Sequence, residues 1–187
     1  MDKLIKQLKA YECMNEQEIS DKQVMEECIA SYNNILLREN KLTHFIAMGF
    51  VLNETFDKVL MVYHNIFKEW TIPGGHTDGD ADLFRVATKE VSEETGLKNL
   101  KVIDENIFSI DILPAVGHIR KKKYVSTHTH LGITYLFVAN EKEALKIQPD
   151  ENSKVGWIPL SEVTTAASEE HMQKIYAKMI EKLKGRI

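Results

Sequence analysis

Residues 74–97 read GGHTDGDADLFRVATKEVSEETGL, and the second half of the run places Glu90, Glu93 and Glu94 on little more than one helical turn before Gly96. An α-helix turns once in about 3.6 residues, so Glu90 and Glu94 stand one above the other with Glu93 beside them. Like charges at this spacing each destabilise an isolated helix by roughly a few tenths of a kcal/mol, so the run calls for a cation. Carboxylate oxygens suit the hard ions Mg²⁺ and Mn²⁺, and no Cys or His interrupts the acidic turn to suggest zinc. Mg²⁺ keeps several waters and takes its other ligands from one or two carboxylates and from substrate phosphates, which makes a phosphate-bearing ligand the natural partner. The competing reading is a solvated acidic helix end.

The flanks decide between the two. Gly74-Gly75 follows the apolar approach Trp70-Thr71-Ile72-Pro73, Asp78-Gly79-Asp80 makes a turn, and a helix from about Ala81 to Thr95 stops at Gly96, a residue suited to a left-handed C-cap. This segment resembles a Nudix box, whose pattern is G, five residues, E, seven residues, then R-E-U-x-E-E-x-G-U with U apolar. Counting back from Lys89-Glu90-Val91 puts the leading glycine on Gly75, and Glu90, Glu93, Glu94, Gly96 and Leu97 match. The family's first glutamate is Ala81 here, flanked by Asp80 and Asp82, with Asp80 the candidate to fill that place. The family's arginine is Lys89, which keeps the positive charge without the planar two-point fork.

The resemblance implies an α/β (mixed α+β) fold, a mixed β-sheet sandwiched between helices, over roughly residues 42–184. It also implies a divalent-metal-dependent hydrolase acting on acid anhydrides, a pyrophosphatase that splits a diphosphate linkage in a nucleoside diphosphate joined to another moiety. Mg²⁺ or Mn²⁺ would be held by Glu90, Glu93 and Glu94. Lys89 and a further carboxylate from a later loop, for which Glu151 is best placed in chain order, complete the expected catalytic set. Gly74, Gly75 and His76 are expected to face the substrate. A second reading, resting on Ala81 and Lys89, is a Nudix-like module that senses a nucleotide without cleaving it.

His128 and His130 lie two apart on an expected strand and so point to one side. They read either as donors lining the substrate cleft or as ligands for a transition metal, against two half-buried histidines bonded to neighbours.

At 187 residues, with 43% apolar and 28% charged residues, the chain has the composition of one globular domain with an appendage. A formal charge of −4 gives no basic excess for nucleic acid, and Arg120-Lys121-Lys122-Lys123 is a local cationic loop, either a solvated tip or a phosphate clamp. Two cysteines, Cys13 and Cys28, lack metal-site spacing, which fits a reduced cytoplasmic protein. No apolar run is long enough for a membrane span and no signal-peptide core is visible.

Helical spacing recurs over residues 2 to about 37, with Ser20-Asp21-Lys22-Gln23 as a capping box for a second helix. This predicts an N-terminal helical extension, residues 1–40, before a catalytic domain at 41–187, laid against that domain or against a second subunit in a homodimer. Strands are expected at 44–52, 58–64, 107–113, 127–138 and 155–158, and a core-facing helix at 169–184.

Overall fold

The computed structural model describes residues 1–120 and 122–185. Two helices come first, α1 (Asp2–Ala10) and α2 (Glu16–Ser31), followed by β1 (Thr43–Asn53), β2 (Lys58–His64), β3 (Trp70–Thr71) and β4 (Gly74–His76). Next are α3 (Leu83–Thr95), β5 (Lys101–Val102), β6 (Ser109–Ala115), β7 (His118–Arg120), β8 (Lys123–Val125) and β9 (His128–Ala139). The chain closes with β10 (Asn152–Pro159), α4 (Leu160–Ala166) and α5 (Glu170–Leu183).

The main sheet runs β10-β2-β1-β9-β5, with β3 on β2, β4 on β1 and β6 on β9. β1 and β9 are parallel over eleven paired residues and every other pair is antiparallel, so the sheet is mixed. All eleven residues of β1 are buried, because it has strands on both edges and helices on both faces.

Side-chain alternation sorts the core into two layers. Phe45, Ala47 and Val51 of β1 and Leu131, Ile133, Tyr135 and Phe137 of β9 pack with α3, α1 and α2. Ile46, Met48, Phe50 and Leu52 face the other way, onto Val163 of α4 and Tyr176, Met179 and Leu183 of α5. Gly49 of β1 lets α3 approach closely, since a Cβ there would lie 2.3 Å from Val91 Cγ2.

The N-terminal helices are fastened from within. Leu4, Leu8, Met25 and Ile35 belong to the α3-side core. Fully buried Glu18 of α2 meets Lys178 at 3.0 Å and Lys182 at 2.7 Å on α5, and Lys178 also reaches Asp111 of β6 at 2.6 Å. Tyr11 donates to Glu18 Oε1 at 2.8 Å. Burial opposes ionisation of Glu18, but its contacts to Lys182, the Met14 N–H and Lys178 outweigh it and hold the carboxyl below its ordinary range.

Two local expectations need correction. α2 starts at Glu16 rather than near Ser20, because Asn15 caps it by accepting from the Glu18 N–H at 3.0 Å, while the Ser20 segment lies inside the helix. It also ends at Ser31, so residues 33–37 are turns and not helix. The basic loop is a β7–β8 hairpin with Lys122 in the left-handed region (φ 64°), and Lys121 lies outside the described residues. Among the described residues, no helix is long and apolar enough to cross a membrane.

Candidate active site

α3 is set by its ends. Asp82 caps the first turn, accepting from Arg85 N–H at 3.3 Å, and Gly96 closes the last turn at φ 79° with its N–H on Ser92 O. Between them Val86, Ala87 and Val91 are buried, which turns Glu90 and Glu94 toward the edge where β4 runs beside β1.

The glycine pair of β4 shapes what Glu90 and Glu94 can do. A Cβ on Gly75 would lie 2.4 Å from Glu90 Oε2, so only glycine leaves Glu90 its place. The Gly74 N–H donates to Glu94 Oε1 at 3.1 Å, which commits this donor to the glutamate. From the other side, buried Asn152 at the start of β10 donates to the Glu94 carbonyl at 3.0 Å. That bond ties the loop carrying Glu151 to the C-terminal turn of α3. One carboxylate oxygen from each of Glu90, Glu94 and Glu151 lies within 4.8 Å of the others.

This cluster is electrostatically uncomfortable. Glu94, only 4% exposed, has its pKa pushed up to about 8 by burial, against the Gly74 N–H and with the charges of Glu151, Glu90 and Glu93 adding to the rise. Glu90 is raised by burial too, with Lys89 opposing and Glu151 and Glu93 adding. A proton or a cation must compensate, and the donors are all oxygen, so the residues fit a hard divalent ion.

The other expected site residues fall elsewhere. Glu93 turns outward, 53% exposed at its side chain, to Lys89 Nζ at 3.1 Å, and Lys89 also reaches Glu90 at 3.6 Å. Asp80 is held by Arg85 in a two-point pair at 2.8 and 3.0 Å, which keeps its carboxyl below the usual range. His76, His128 and His130 lie with His44, on the sheet face opposite α3. His44 is the register partner of His130 and His76 is that of Ile46, two residues along from His44. The structure thus gathers Glu90, Glu94 and Glu151 and leaves Glu93 and these histidines outside that group.

Sequence reasoning missed Asn152 and His44. Asn152 sits in Pro149-Asp150-Glu151-Asn152, which reads as an ordinary polar turn. His44 opens β1, and only the pairing of distant strands reveals its neighbours.

A mixed sheet packed between helices thus carries three carboxylates gathered where a helix meets a glycine-bearing strand, a donor set whose chemistry fits a hard cation. The NUDIX domain model matches residues 43–183, and the chain belongs to the Nudix family of hydrolases. A C. elegans Ap4A hydrolase in a binary complex is similar at 17% identity, covering 75% of this chain and 95% of that one, with a TM-score of 0.55. A MutT protein from Methanosarcina mazei Go1 is similar at 17% identity over 78% and 98% of the two chains (TM-score 0.53). The Nudix hydrolase RenU from M. smegmatis is similar at 13% identity over 77% and 87% (TM-score 0.54). Likeness at this level shows the shared fold. No curated protein sequence matches the chain.

Proposed function

We propose that this protein is a divalent-metal-dependent hydrolase that cleaves a diphosphate linkage in a nucleoside diphosphate joined to another moiety. The observation that carries the reading is the meeting of Glu90, Glu94 and Glu151 within 4.8 Å around a carboxyl whose pKa burial has raised to about 8. These three would hold Mg²⁺ or Mn²⁺, which when bound polarises phosphate oxygens and makes a coordinated water more acidic. Gly74 orients Glu94 through its N–H, and Gly75 gives Glu90 room. Lys89 neutralises Glu90 and Glu93 at the rim. Glu93 turns outward to Lys89, so a glutamate of the group not committed to the metal, or Glu151, would take the proton of the attacking water. The free Cys13 and Cys28 fit a reducing, cytoplasmic setting.

The competing reading, a nucleotide sensor without turnover, draws on Ala81 and on the pairing of Lys89 with Glu93. A screen of nucleoside diphosphate sugars, dinucleoside polyphosphates, NAD, ADP-ribose and oxidised nucleoside triphosphates, with and without Mg²⁺ or Mn²⁺, separates the two. Metal-dependent release of phosphate-bearing products supports the hydrolase. Calorimetric binding of a panel member without product favours the sensor.

A further inference from the structure

We propose that His44, His76 and His130, with His128 beside them, form a second cation site, selective for a nitrogen-seeking transition metal of the Zn²⁺ class. The sheet register builds it. β1, β4 and β9 each bring an imidazole to one corner of the face opposite α3, and a ring nitrogen from each of His44, His76 and His130 lies within 4.8 Å of the others. The rings stand 5.0 Å apart for His44–His76 and His44–His130, and 5.1 Å apart for His76–His130.

Hydrogen bonding says where the lone pairs point. His44 is 3% exposed, and its Nδ1 donates to the Asn40 carbonyl at 2.9 Å, which leaves the lone pair of the neutral ring on Nε2. That Nε2 is buried with no hydrogen-bond partner among the described residues. An unpaired buried polar atom forfeits its solvation without compensation, so it calls for a ligand. His128 repeats the arrangement, with Nδ1 on the Ser126 carbonyl at 2.8 Å and Nε2 facing His130 Nε2 at 3.0 Å. A backbone carbonyl holding the far N–H is how metal-binding imidazoles are oriented.

A packed imidazole cluster, with one N–H···N bond between His128 and His130, would leave the buried His44 nitrogen unexplained. Tetrahedral Zn²⁺ with bonds of about 2.0–2.1 Å sets its nitrogens roughly 3.4 Å apart, so nitrogens now within 4.8 Å of one another need to draw in by at most about 1.4 Å. The charges of Arg38 and Arg120 both reach His76, and Arg38 is neutralised by Asp78 in a two-point pair at 2.6 and 2.5 Å. Among the described residues no carboxylate belongs to the histidine group and no histidine to the carboxylate group, so ligand chemistry sorts hard from nitrogen-seeking ions. The site does not depend on the hydrolase reading.

The test uses the full chain stripped of metal, held in excess Mg²⁺, and titrated with Zn²⁺ by calorimetry, with thermal unfolding in parallel. One Zn²⁺ per chain and a higher Tm are expected. Affinity should fall on the order of a hundredfold in His130→Gln and in the less buried His76→Asn, and stay unchanged in E90Q/E94Q. Circular dichroism confirms that each variant is folded. Absence of Zn²⁺ binding in excess Mg²⁺, unchanged binding in both histidine variants, or loss of binding in E90Q/E94Q overturns the proposal.

Discussion

At Gly75 one methyl group is enough to displace the Glu90 carboxylate. Its Cβ would sit 2.4 Å from Glu90 Oε2 and 2.5 Å from Cδ, so Gly75→Ala must push the carboxylate off the cluster while barely touching the core. Divalent-metal affinity measured by calorimetry should fall at least tenfold, with Tm nearly unchanged. Glu94 supplies a second handle. Its folded-state pKa of about 8 stands above the ordinary 4.5, so the folded chain binds a proton that the unfolded chain has released. The stability from that proton is full below about pH 4.5 and is lost as pH rises through about 8. Metal-free protein should therefore melt lower at pH 9 than at about pH 6, and added Mg²⁺ should remove most of the difference. Scanning calorimetry across pH checks this, and Glu94→Gln should flatten the profile. At this scale the acidic turn was legible, because Glu90 and Glu94 are one helical turn apart on one strand of sequence. The approach of Glu151 was suggested only by chain order. Its partner Asn152 was invisible, since a hydrogen bond to a carbonyl 58 residues away leaves no local pattern.

Elements whose signals are local were readable to within a residue or two. β2 spans Lys58–His64 as its β-rich run after the Asn53–Asp57 turn predicts, and α3 stops at Gly96 for the conformational reason glycine suggests. α2 was misread at its start because two segments, at Asn15 and at Ser20, both carry capping chemistry. Asn15 prevails because starting there puts Glu18 in reach of the Met14 N–H, Tyr11 and the α5 lysines. The short strands β5, β7 and β8 and the helix α4 carry too little periodicity to announce themselves. The Glu18–Lys178–Asp111 network binds α2, α5 and β6, and nothing in helical spacing foretells a fully buried lysine. Lys178 is 5% exposed at its side chain, and removing one partner of a buried ion pair strands the other charge. Lys178→Ala should cost about 3–5 kcal/mol, read from the shift of the urea midpoint at constant slope.

Across the whole molecule the sheet separates two chemistries. The α3 face carries the oxygen cluster and the opposite face the imidazoles, and β4 contributes to both through adjacent residues, Gly75 and His76. The mixed sheet between helices could be anticipated from element order and the box, whereas the convergence of four histidines depends on β1–β9 register. The N-terminal helices share the core of the family domain, with Leu4, Leu8 and Met25, and Ile35 of the turn that follows them, packed on it. A chain shortened to residues 41–187 should lose these contacts and leave Lys178 and Lys182 without Glu18. It is expected to lack a cooperative melting transition, and a soluble, sharply melting product would assign the helices a lesser part. If the buried carboxylate cluster drives metal-dependent cleavage of a diphosphate linkage, turnover must depend on both the metal and Glu94. The measurement closest to that dependence is product release by wild type and Glu94→Gln across the nucleoside diphosphate panel, with and without Mg²⁺ or Mn²⁺. Metal-dependent turnover is expected in wild type, with a loss on the order of a hundredfold or more in a folded Glu94→Gln protein. Turnover by that variant at the wild-type rate, or turnover indifferent to the metal, would contradict it.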